Sequence, residues 1–77
     1  ILRTLIIGNG RAAEHIAQTL EKEGSRFQVV AALAPYGGSR KMVHKAPVLG
    51  KMDALERVTS EKRIDAIIQT EAVEHTL

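Results

Sequence analysis

One hexapeptide constrains this chain more than any other feature: Gly8-Asn9-Gly10-Arg11-Ala12-Ala13, a G-x-G-x-x-A pattern set directly between an apolar run and an amphipathic one. Leu2 to Ile7 is short, apolar and β-branched and stops at Gly8, which predicts a strand. Its near-continuous hydrophobicity predicts burial on both faces, as in a parallel sheet. From Arg11 onward Ala13, Ile16, Ala17 and Leu20 recur at i, i+3, i+4 and i+7, one face of a helix, and Gly24 is a natural stop for it. The small residues between the two elements each have a physical use. Gly8 permits a tight turn, Gly10 keeps no side chain between an anion and the backbone, and Ala13 lets the helix approach the sheet.

Beyond that helix, Phe27 to Leu33 predicts a second buried strand, which completes a right-handed βαβ crossover. Ala34 to Lys45 contains Pro35, Gly37, Gly38 and Ser39 without a clear period and is expected to be a surface loop. A second helix is expected from about Met52 to Lys62, with Met52, Leu55 and Val58 on one side and Lys51, Glu56, Arg57 and Glu61 in water. Asp65 to Thr70 predicts a third strand, and Thr70 is placed to cap a third helix carrying Val73 and Leu77. The order β-α-β-loop-α-β-α predicts an α/β, Rossmann-like, partial doubly wound fold over residues 1–77: three parallel strands in the order 2-1-3 with flanking helices.

Composition bounds what such a fold can do. The 77 residues are 44% hydrophobic and 26% charged, in the globular range, and the core must come from Ile, Leu, Val and Ala because Phe27 and Tyr36 are the only aromatics. So few rings leave no stacking platform for unpaired bases, and no basic helix is present for duplex DNA, so nucleic acid is not an expected partner. Without cysteine there is no disulfide, thiolate nucleophile or zinc ribbon. A domain of this size buries only about 60% of its unfolded surface. A second copy, or the remainder of a longer chain, is therefore an expected partner. Opening on Ile1 and ending in what resembles a helix just begun, Glu71 to Leu77, the sequence is expected to be a piece of something longer. Its longest wholly apolar run, Val29 to Pro35, is far short of the ~20 residues of a membrane-spanning helix.

Charge is uneven. All nine acids lie outside residues 24–52, a stretch holding Arg26, Arg40, Lys41, Lys45 and Lys51 and therefore locally +5. Such a stretch faces either an anion or simply water. If a ligand binds the glycine turn, Gly8, Asn9, Gly10 and Arg11 are the residues expected to contact its phosphate, as in a nucleotide or a CoA-like molecule; nothing in the sequence requires a cofactor. A dinucleotide site places Asp or Glu at the end of the second strand, ~20 residues past the glycines, to hold the ribose. That strand ends Ala31-Ala32-Leu33-Ala34-Pro35, which argues against ordinary NAD and leaves Arg40 and Lys41 as cations for a 2′-phosphate or phosphorylated ribose. His15, His44 and His75 stand 29 and 31 residues apart, with no i, i+4 metal pair, and Ser25, Ser39 and Ser60 lie in no nucleophile elbow. No catalytic or metal-ligating set is expected.

The order of segments carries a resemblance. Arg3-Thr4-Leu5-Ile6-Ile7-Gly8-Asn9-Gly10-Arg11-Ala12-Ala13-Glu14, Phe27-Gln28-Val29-Val30-Ala31-Ala32-Leu33, Ala46-Pro47-Val48-Leu49-Gly50-Lys51-Met52-Asp53-Ala54-Leu55 and Arg63-Ile64-Asp65-Ala66-Ile67-Ile68 follow one another. Together they resemble the Rossmann-like, CoA-binding-type domain of bacterial polyprenyl-phosphate sugar phosphotransferases. In that family the domain follows transmembrane helices and precedes the catalytic domain, which moves a sugar 1-phosphate from a nucleotide sugar to a polyprenyl phosphate such as undecaprenyl phosphate in exopolysaccharide or capsule biosynthesis. The resemblance implies a noncatalytic regulatory or scaffolding module at the cytoplasmic face of the inner membrane, with the transmembrane helices and catalytic domain of its parent as partners. A similar domain occurs in membrane-bound nucleotide-sugar 4,6-dehydratases, and a free-standing NADP- or CoA-binding domain is the alternative of another class. The sequence departs from the family after its second strand, where Ala34-Pro35-Tyr36-Gly37-Gly38 replaces an acidic Asp-Asp segment.

Overall fold

The computed structural model describes residues 1–71. The apolar opening run forms strand β1 (Leu2–Ile7), and the amphipathic segment forms helix α1 (Arg11–Lys22), which ends where Gly24 takes φ +63°, a left-handed conformation open to glycine without strain. Strand β2 (Phe27–Leu33) follows, then a short hairpin of β3 (Met42–Val43) and β4 (Ala46–Pro47). A 3-10 turn (Met52–Ala54) leads into helix α2 (Leu55–Glu61), and the described chain closes with β5 (Ala66–Gln69).

Strands β2, β1 and β5 make one parallel sheet in the order β2-β1-β5, the 2-1-3 order expected of a partial Rossmann-like fold. A bulge at Val30 shifts the register, so that Thr4 pairs with Val29 but Leu5 with Ala31. The central strand is buried on both faces, as its unbroken hydrophobicity requires. Leu5, Ala31 and Leu33 face the 3-10 turn and α2 through Ala54 and Val58. Ile6 and Ala32 face α1 through Ala13 and Ala17. The small residues of α1 let the helix lie close on the sheet, and each fully buried aliphatic side chain contributes about 1.5–3 kcal/mol. Among the described residues the one buried polar side chain, Thr4, donates its hydroxyl to the Leu2 carbonyl at 3.0 Å.

Three expectations are corrected. Residues 34–45 are not a featureless surface loop, because they contain β3 and lead into β4, and Val43 is wholly buried where β3 packs on α1 and β2. A two-residue strand carries too little periodicity to be seen in the sequence. The second helix begins as a 3-10 turn and is α-helical only over Leu55–Glu61. The third strand is shorter than Asp65 to Thr70, because Asp65 is taken into a corner with Arg3: the Arg3 amide donates to Asp65 Oδ2 at 3.0 Å and the Asp65 amide to the Arg3 carbonyl at 2.7 Å. The third helix, with Val73 and Leu77, lies outside the described residues.

The two sheet edges differ. Residues 48–50 run along the end of β2, with the Leu49 amide donating to Ala32 at 3.0 Å and the Ala34 amide to Gly50 at 2.8 Å. On the other side β5 pairs only with β1 among the described residues, and Ile67 is 48% exposed. No helix of the described residues is long and apolar enough to cross a membrane.

Candidate functional site

Parallel strands deliver their following loops to one rim of the sheet, and in open α/β sheets ligands bind at that carboxyl edge. Four segments meet there: the glycine turn after β1, the loop after β2, the strap at Gly50 and Lys51, and Thr70 and Glu71 after β5. Gly8 is buried at φ +138°, a conformation that L side chains rarely adopt. A Cβ there would stand 2.0 Å from Thr70 Oγ1, so its absence is what lets the end of β5 close on the turn. Thr70 fixes that closure twice, donating its amide to the Ile7 carbonyl at 2.9 Å and its hydroxyl to the same oxygen at 3.0 Å.

Gly10 is the residue before α1, with ordinary extended φ of −93° and no side chain to cap the helix. A Cβ at Gly10 would stand 3.3 Å from Glu71 Oε1. A carboxylate of the same chain therefore lies beside the helix N-terminus, where the dipole favours negative charge. Asn9 turns the other way and donates its amide to the Gly37 carbonyl at 3.1 Å, which ties the glycine turn to the loop after β2. Arg11 is exposed, and its side chain makes no ion pair or hydrogen bond with the described residues. Of the four expected phosphate contacts, Gly8 and Gly10 thus sit against Thr70 and Glu71, Asn9 serves as a tie, and Arg11 stands in water.

The basic stretch does not act as one patch. Arg40 pairs with Glu14 at 3.4 Å, and Lys45 with Glu21 at 2.7 Å. His44 is held on α1 at two points: its amide donates to Glu14 Oε2 at 2.7 Å, and its Nε2 hydrogen-bonds Glu21 Oε2. Glu14 and Glu21 lie seven residues apart, two turns along one helix face. The His44 amide chiefly holds the Glu14 carboxyl below its ordinary range, and Lys45, then His44, does the same for Glu21. The signal that could have revealed this clamp is Glu14 and Glu21 on one helix face opposite a cationic segment. What sequence cannot supply is the hairpin that turns that segment back onto the helix. Below the clamp a groove of about 650 Å³ runs between α1, the hairpin and the first half of β2, with Leu20, Phe27, Val29 and Val43 in its walls.

No family model, curated protein or solved structure matches the chain. Among the described residues no group of three or more His, Asp or Glu side chains is arranged to hold a metal ion. His15 is exposed, and Ser25 accepts the Phe27 amide at 3.1 Å, a turn contact at the entry to β2.

Proposed function

We propose that this chain is a noncatalytic α/β module, regulatory or scaffolding in role, of a bacterial polyprenyl-phosphate sugar phosphotransferase, working at the cytoplasmic face of the inner membrane. The observation that carries this reading is the filling of the glycine turn by the chain's own side chains. In a turn that receives a pyrophosphate the first glycine serves the bend, and the second leaves the backbone beside it open to the ligand. Here Thr70 Oγ1 occupies the space beside Gly8, and the Glu71 carboxylate lies beside Gly10. The glycines accordingly serve close packing of β5 on the turn, and a phosphate reaching Gly8, Asn9, Gly10 and Arg11 competes with a like charge. The block at the centre of the family likeness, Pro47-Val48-Leu49-Gly50, supports the same role: its residues 48–50 are the strap bonded along the end of β2.

Two measurements test the proposal. Amide signals of Gly8, Asn9 and Gly10 followed by NMR are expected to stay in place when NADPH or CoA is added. Movement of those signals, abolished by Gly10→Val, overturns the scaffold reading in favour of a free-standing nucleotide-binding domain. Membranes of bacteria producing the complete gene product are expected to transfer radiolabelled sugar 1-phosphate from a nucleotide sugar to polyprenyl phosphate. Unlabelled lipid assigns the module to a different parent.

A further inference from the structure

One loop away from the glycine motif the same rim carries a hollow of about 210 Å³, roughly seven times the ~30 Å³ share of one water molecule, and its walls include Gly37, Gly38, Gly50, Arg40, Lys41 and Lys51. The three glycines all take positive φ, +75°, +112° and +150°, so the wall they form is bare backbone. Two of the three cations, Lys41 and Lys51, stand on or beside backbone fixed by hydrogen bonds. The Lys41 carbonyl accepts the Val48 amide at 2.9 Å, and Gly50, next to Lys51, is bonded to Ala34 at 2.8 Å. The Gly37 carbonyl accepts the Asn9 side chain at 3.1 Å, and the Lys51 stem lies over Gly37, its Cε 3.2 Å from where a Cβ would be. Lys41 and Lys51 have no anionic partner among the described residues, and Arg40 has only the long, half-solvated contact with Glu14 at 3.4 Å. Holding three like charges around one hollow opposes folding unless an anion joins them.

We infer that this hollow, rather than the glycine turn, is the anion site of the protein, and that it takes a phosphate group through Arg40, Lys41 and Lys51. The chemistry is shared by soluble phosphate esters and by the headgroups of anionic lipids. The inference does not depend on the parent enzyme, because it rests on the charge and backbone of residues 37–51 alone.

Inorganic pyrophosphate titrated into the protein, read by amide NMR, is expected to move the signals of Gly37, Gly38 and Gly50. Removing two charge-assisted bonds in the Lys41→Gln/Lys51→Gln variant is expected to weaken that binding about tenfold or more, whereas Arg11→Gln leaves it unchanged. The variant's remaining spectrum reports that it is folded. A second arm uses sedimentation with phosphatidylglycerol or phosphatidylcholine vesicles. Binding to the anionic vesicles alone, lost in the lysine variant, makes the phosphate a lipid headgroup; pyrophosphate binding without sedimentation makes it a soluble ester. Signals that move at Gly10 and Arg11 instead, binding that ignores the lysine substitutions, or no response to pyrophosphate at millimolar concentration together with no sedimentation, each overturn the inference.

Discussion

The turn after β1 and the loop after β2 lie on one rim, share a hydrogen bond and are both rich in glycine, yet they use glycine for opposite ends. At Gly8 and Gly10 the missing side chains make room for Thr70 and Glu71, so the space is filled from within and its nearest charge is negative. At Gly37, Gly38 and Gly50 the positive φ angles bend bare backbone around a hollow bordered by cations. Glycine spacing alone therefore does not separate a packing turn from a binding loop. What separates them is which charges the rest of the fold brings alongside.

The sharpest way to break that contrast is Gly8→Val. Its Cβ meets Thr70 Oγ1 at 2.0 Å and its φ of +138° is hostile to a branched residue, so steric overlap and backbone strain together are expected to cost about 3 kcal/mol or more in urea unfolding. Thr70→Ala should return part of that loss but not the backbone part; full rescue, or a stable Gly8→Val protein, would show that the turn is not closed by β5. On the basic side the anchor is Val43, wholly buried under the hairpin. Val43→Ala is expected to cost about 2 kcal/mol and to loosen residues 42–47 first by hydrogen exchange. Uniform exchange across the domain would mean that the hairpin is no separate unit.

A smaller effect should appear with acid. The carboxyls of Glu14 and Glu21 are held below their ordinary value of 4.5 in the folded state, by the His44 amide and by Lys45 respectively, so folding favours their ionised forms. Their contribution is complete above that value and is lost as pH falls through the lowered folded values. The Glu14→Gln/Glu21→Gln variant is therefore expected to flatten the acid limb of stability against pH, and an unchanged limb would remove the clamp from the account. Smallest of all, Lys41→Gln and Lys51→Gln should each change stability by no more than about 0.5 kcal/mol, as solvent-facing substitutions do, while changing anion binding. A large loss of stability would make these lysines structural.

Much of the architecture was legible in the residues themselves. Continuous apolar runs marked the parallel strands, and the Ala13, Ile16, Ala17 and Leu20 spacing marked α1 with the buried face the structure shows through Ala13 and Ala17. The glycine turn lies between strand and helix, where its flanking patterns put it. What it touches was not legible, since Thr70 and Glu71 are more than sixty residues away along the chain and reach it only through the pairing of β5 with β1. The contacts of His44 are hidden for the same reason: its partners on α1 are 23 and 30 residues distant. The hairpin leaves no mark in the sequence pattern, because two residues of strand are too short to show a period.

By itself, then, the sequence determined the element types, the parallel sheet and its strand order, because hydrophobic period and turn chemistry act between near neighbours. Only the tertiary structure decided the use of the rim: which glycines are filled by the chain's own side chains and which cations are left facing a hollow. That outcome depends on non-local contacts among loops that the parallel strands deliver to one edge, and no local pattern encodes the distance between them.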